Sequence, residues 1–127
     1  MGSDWVIELL TELTAQFRQV TPESYHEINR KATVVYPYLT FDFDSEAIER
    51  NVEGFYIDVD IFDNSASYRD TLTLEDALKA HFKDNIKLTD DMLLRFNFLR
   101  SAKIPTNNDL IKRRNLQIYC KTDWRNK

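Results

Sequence analysis

The sequence predicts an α+β fold, an antiparallel four-stranded sheet with two helices packed on one face, in the order α-β-β-α-β-β. Three observations predict it. Two early stretches, Tyr36-Pro37-Tyr38-Leu39-Thr40-Phe41-Asp42-Phe43 and Phe55-Tyr56-Ile57-Asp58-Val59-Asp60-Ile61-Phe62, are dense in β-branched and aromatic residues, the second in strict alternation. A later pair alternates in the same way, and two further segments repeat apolar residues at helical spacing. Each helix has a single apolar stripe to bury, so both are expected on the apolar face of one sheet.

From Asp4 to Phe17, Val6, Leu9, Leu10, Leu13 and Phe17 recur at helical spacing, with Ser3 or Asp4 able to cap the start. Thr21-Pro22-Glu23 marks a break, and Ser24 to Lys31 keeps neither period, which predicts a connection. The first strand begins near Thr33 and runs to Phe43; Pro37 has no N–H, which places this strand at an edge or bends it. Asp44 to Glu53 reads as an acidic connection, and Phe55 to Phe62 as a strand with one buried face. Asp63-Asn64-Ser65-Ala66-Ser67 supplies turn chemistry. After it Thr73 opens a second helix with Leu74, Ala77, Leu78, His81 and Phe82 on its stripe. Asp76 completes a shortened capping box, and Glu75 and Lys79 stand in the favourable i,i+4 order. Met92 to Leu99 and Leu116 to Asp123 alternate as a third and fourth strand, and the segment 101–112 between them reads as a projecting loop.

At 127 residues the chain fits one domain, 1–127, and its 43% hydrophobic content with only 2 Gly and 3 Pro is that of a folding chain. The net charge of -4, with both signs scattered, argues against a dedicated nucleic-acid binder. A lone Cys120 excludes an internal disulfide and a cysteine zinc site, and is compatible with a reducing cytosol. No apolar run approaches the roughly 20 residues of a membrane span, so no membrane partner is expected. Met1-Gly2 opens like a myristoylation motif, but Val6 stands where that motif needs Ser or Thr.

Asp58, Asp60 and Asp63, with Asp42 and Asp44 on the neighbouring strand, could hold Mg²⁺ for phosphodiester cleavage, which makes a small Mg²⁺-dependent nuclease the enzymatic alternative. Outward polar residues on a half-buried strand explain the same pattern, with Arg95 and Lys121 as cross-strand partners. His81 is expected as a hydrogen-bonded boundary residue, and Cys120 as a core residue. With glycine only at Gly2 and Gly54, phosphate-cradling loops are excluded, and no Gly-x-Ser-x-Gly turn occurs. No catalytic, cofactor-binding or metal residue is therefore assigned. The basic triplet Lys112-Arg113-Arg114 fits a contact with a protein partner.

The aromatic-Pro-Tyr step Tyr36-Pro37-Tyr38, the alternating strand ending at Asp63, and the arginines Arg95, Arg113 and Arg114 at the strand starts resemble the tail-completion proteins of long-tailed bacteriophages and prophages. That family comprises tail terminators and head-to-tail joining subunits. The resemblance implies a structural, non-enzymatic protein, made in the bacterial cytoplasm and carried in the virion. It implies a ring, six-fold, on the tail tube protein, with the head connector on its other face and a weak contact with DNA in the channel. On that reading Tyr36, Pro37, Tyr38, Asp58, Asp60, Arg95, Lys112, Arg113 and Arg114 are interface residues. Asp58 or Asp60 would meet Arg113 or Arg114 of a neighbour. A monomeric protein-binding adaptor is the third class, distinguished by one-to-one binding without a ring.

Overall fold

The structure, a computed structural model, describes residues 5–125. Two long strands form its centre: β3 (Val52–Asp63) and β6 (Lys112–Trp124) pair antiparallel along their whole length, from Val52 opposite Asp123 to Asp63 opposite Lys112. On one side β2 (Tyr38–Glu49) pairs with β3, and on the other β5 (Met92–Ile104) pairs with β6, both antiparallel. Two three-residue strands complete the edges. β1 (Ser24–His26) runs parallel to β2, and β4 (Ile86–Leu88) runs antiparallel to β5.

The sheet is thus six-stranded and mixed, in the order β1-β2-β3-β6-β5-β4, and the expected four-stranded antiparallel sheet is overturned. The strands that sequence reading missed are too short to show a period, since three residues offer at most one alternation. Ser24 to His26, expected as connection, is held by a neighbour distant in sequence: Leu39 N–H donates to Glu23 and Glu27 N–H to Phe41, each at 2.9 Å.

Two helices lie over one face. α1 spans Trp5–Val20, and its proposed caps Ser3 and Asp4 fall outside the described residues, as does Gly2. α2 spans Arg69–Phe82, four residues earlier than the Thr73 start. Thr73 lies inside it and donates its hydroxyl to the Arg69 carbonyl at 2.9 Å. The first two residues, Arg69 and Asp70, are exposed and polar, and the next buried one is the polar Thr71, so the apolar stripe does not reach the helix start. Ala77, expected on that stripe, is exposed.

The core fills the space between helices and sheet. Phe17 of α1 stacks on Phe41 at 4.6 Å and tilts against Phe82 of α2 at 5.0 Å, and Phe82 meets Phe96 of β5 at 5.0 Å. Ile57, Val59, Leu116 and Ile118 close the floor and are inaccessible to solvent. Every second residue of the central strands is buried here, and each large apolar side chain among them contributes about 1.5 to 3 kcal/mol.

Both hairpins run beyond the helices as arms. Asp44 to Glu49, expected in an acidic connection, continue β2, and the turn is only Arg50-Asn51, with Asn51 at φ 63. At the opposite end Ser101 to Ile104, expected in the loop, continue β5, leaving 105–111 as the connection. Pro37 precedes β2, so its missing N–H interrupts no ladder. β2 is exposed from Asp44 to Glu49, and β5 has no fully buried residue after Phe96. Each arm carries one β-bulge, between Ala47 and Glu49 in β2 and between Phe98 and Arg100 in β5.

Candidate functional site

The face of the sheet turned away from the helices carries the polar half of every alternation. Register brings an aromatic ladder together at the end where β2 starts and β3 ends. Tyr38 stands opposite Phe62, and Phe62 opposite Arg113. Tyr36 lies 5.6 Å from Tyr38, and Tyr38 stacks on Phe62 at 5.1 Å. The Arg113 guanidinium sits 5.5 Å over the Phe62 ring and donates from Nε and Nη2 to Asp60 Oδ1 at 3.2 and 3.1 Å. Asn115 adds an amide donor to the same oxygen at 3.2 Å. A cation held between a ring face and a carboxylate loses freedom but keeps both attractions, each modest at a half-exposed position. Burial pushes the Tyr38 hydroxyl above its ordinary pKa, with Tyr36 adding to it.

Of the interface residues expected from sequence, Tyr36, Pro37, Tyr38, Asp60 and Arg113 gather here, and Asp58 lies on the same face, where Gln117 donates to it at 3.2 Å. Arg95, expected as a partner for these aspartates, binds Asp123 at 3.2 Å instead. Arg114 and Lys112 point to the helix side. Arg114 Nε donates to Glu75 Oε1 at 2.8 Å, and Lys112 Nζ lies 5.8 Å from the Tyr68 ring, beside Lys103 at 5.6 Å. Asp60–Arg113 and Glu75–Arg114 therefore meet within one chain, so these arginines already have carboxylate partners. Phe62 and Asn115 were missed because their roles depend on β3 lying beside β6, an adjacency that neither strand's alternation encodes.

Glu75 is nearly buried, and Lys79 at 3.1 Å and Ser101 Oγ at 3.2 Å also reach it. Burial pushes its carboxyl up, but hydrogen bonds from Arg114 and Lys79 outweigh that and hold it below its ordinary value. This pair ties α2 to the base of the β5–β6 arm.

At the other end, Tyr56 and Tyr119 pack at 4.9 Å and both hydroxyls donate to Glu46 Oε1 at 3.3 Å; the Glu46 charge chiefly raises the pKa of Tyr56, and burial, with Glu46 adding to it, raises that of Tyr119. Tyr119 lies across Gly54, where any Cβ would overlap its ring. His81 Nε2 shares a 2.8 Å hydrogen bond with Gln16 Oε1, and burial lowers its pKa, so it joins the two helices in the neutral form. Cys120 is buried, its thiol pushed up to about 12 by desolvation, which makes it an unreactive core residue.

For metal chemistry, the ligand atoms of His26, Glu27 and Asp42 lie within 4.8 Å of one another among the described residues. Two different ring nitrogens face the two carboxylates: Nδ1 lies 3.7 Å from Glu27 and Nε2 3.4 Å from Asp42. Both carboxylates are exposed, and acidic groups gather at a surface in this way without an ion, so the cluster by itself assigns no metal site. Among the described residues no helix is long and apolar enough to cross a membrane.

No family model and no curated protein matches the chain. Its fold is similar to that of a chain from a virion. That structure is described as "Virion of native gene transfer agent (GTA) particle"; the TM-score is 0.61 at 15% identity, covering 87% of this chain and 94% of the other. At that identity the likeness is one of fold, carried over nearly the full length of both chains.

Proposed function

We propose that this chain is a structural subunit of a phage-like virion, a tail-completion protein that forms a ring on the end of the tail tube and meets the head connector. The observation that carries the reading is the likeness in fold, across 87% of the chain, to a subunit of a gene transfer agent virion. The surface chemistry supports it. Asp60 is engaged by Arg113 and Asn115, and Asp58 by Gln117, so these carboxylates are used to knit strands together. The half-exposed ladder Tyr36, Tyr38 and Phe62 offers aromatic area of the kind that protein contacts use, with Arg113 at its border. On this reading the ladder faces a neighbouring virion protein, and the loop 105–111 with Lys103 and Lys112 faces the channel or the tube.

Electron microscopy of particles assembled without this protein tests the reading. Overlong tails assign it to termination, and normal tails beside unattached filled heads assign it to joining. Particles indistinguishable from those that contain the protein would reject a role in tail completion.

A further inference from the structure

The two arms leave two sheet edges bare. Among the described residues, β1 pairs with β2 only from Leu39 to Phe41, so residues 42–49 of β2 are hydrogen-bonded on the β3 side alone. In the same way β4 covers β5 only from Leu93 to Arg95, with Asn85 accepting from Phe96 N–H, so 97–104 pair with β6 alone. The two edges are opposite in charge: Asp42, Asp44, Glu46 and Glu49 lie on one, Arg100 and Lys103 on the other. Exposed edges of this length are templates for a further strand. Like charge keeps each edge from pairing with its own kind, while opposite charge favours the other.

We infer that the bare edge of β2 in one copy accepts the bare edge of β5 from the next, so that the sheet continues from subunit to subunit around the ring. This interface deepens the ring reading above and rests on it. Because β2 and β5 run antiparallel within a chain, rotation from copy to copy brings them together antiparallel. Opposing Glu46 to Arg100 keeps inner residues beside inner ones and outer beside outer, since a shift by one residue would turn every side chain to the wrong face. The same register sets Ile48, 44% exposed, within a residue of Leu99, 47% exposed, so the apolar side chains at the two bulges cover each other. Arg100 makes no side-chain hydrogen bond or ion pair among the described residues, and the Glu46 carboxylate meets only tyrosine hydroxyls.

The bare segments lie at opposite ends of the sheet, so matching them staggers successive copies by about four ladder positions, roughly 14 Å along the strand. Four long strands per copy advance about 19 Å across the sheet, which makes the strand tilt about 36°, within the 35–45° common when sheets close into barrels. The contact is head-to-tail, and its repetition by rotation generates a ring.

Cysteine pairing tests the interface. Within one chain positions 46 and 100 are separated by three strand spacings, about 14 Å, beyond the roughly 7 Å that a disulfide spans, so E46C/R100C can close only between copies. Mild oxidation of assembled protein is expected to give a reducible ladder of multimers in the double variant and none beyond background in either single. Charge reversal gives an independent readout: E46K and R100E each reduce ring formation, and the double restores part of it. Rings by electron microscopy without the ladder and without that rescue would overturn the edge interface while leaving the ring reading standing. A disulfide to a different virion protein would also overturn it, assigning the edges to that partner. Absence of rings from the native protein, alone or on tubes, with tails unaffected by its loss, would remove the ring reading and this interface together.

Discussion

The part of the sheet beneath the helices and the two arms beyond it share the same strands and differ in what covers them. Under the helices, alternate residues of β3 and β6 are buried, and the ladder is held by packing as well as by hydrogen bonds. In the arms the ladder continues at the same spacing, but its outer strands, 44–49 of β2 and 97–104 of β5, are exposed or only half-buried. Paired backbone alone contributes little net stability per hydrogen bond, since water offers the same bonds to the unfolded chain. The first region accounts for folding, and the second presents edges and side chains to something outside the subunit.

The same difference sets what sequence reading can recover. Phe55 to Ile61 and Leu116 to Cys120 alternate because one face must be apolar, so these strands are legible. Asp44-Ser45-Glu46-Ala47-Ile48-Glu49 has no apolar face to maintain, and Ser101 to Ile104 likewise, so both read as connection while forming ladder. The pairing lives in backbone groups that every residue possesses. Of the candidate site, Tyr36, Tyr38, Asp60 and Arg113 were identifiable by type; that Phe62 and Asn115 join them depends on strand order. Arg114 shows the limit from the other side: one residue along from Arg113, it points to the opposite face and neutralises Glu75.

The largest expected contrast comes from the centre of the covered region. Phe17→Ala removes a ring that packs against both Phe41 and Phe82, and is expected to lower unfolding free energy by about 3 to 5 kcal/mol, with a matching fall in the urea midpoint. A loss below about 1 kcal/mol would mean that the helices do not rest on the sheet through this residue.

At the junction between the regions, Arg114→Met keeps most of the stem and removes the cation from a nearly buried carboxylate. The expected cost near pH 7 is about 3 kcal/mol, at the low end for a broken buried pair because Lys79 remains at 3.1 Å. The sign of the pH dependence follows from the lowered native pKa of Glu75. Its contribution is complete above the ordinary value of 4.5 and is lost as pH falls through the native value. In the variant that native value rises, so the gap in stability between the two proteins narrows as pH drops below 4.5. Urea titrations at pH 7 and pH 4 check it; a constant gap would place the effect in packing, not in the charge.

The smallest effect on the subunit is expected in the arms, and there the comparison is sharpest. Ile48 and Leu99 are about half exposed, at the bulges of the two outer strands. Replacing both with Ser should change unfolding free energy by no more than about 0.5 kcal/mol each, the range of surface substitutions that break no named contact. If the arms serve only the subunit, assembly should be as indifferent as stability is. If their edges join copies, the same replacements remove the apolar contact at the joint, and ring formation measured by sedimentation or electron microscopy should weaken while the urea midpoint stays put. A parallel loss of midpoint and assembly would place these residues in the fold itself. Loss of assembly at unchanged stability is what separates a strand that holds the domain together from one that holds its neighbours.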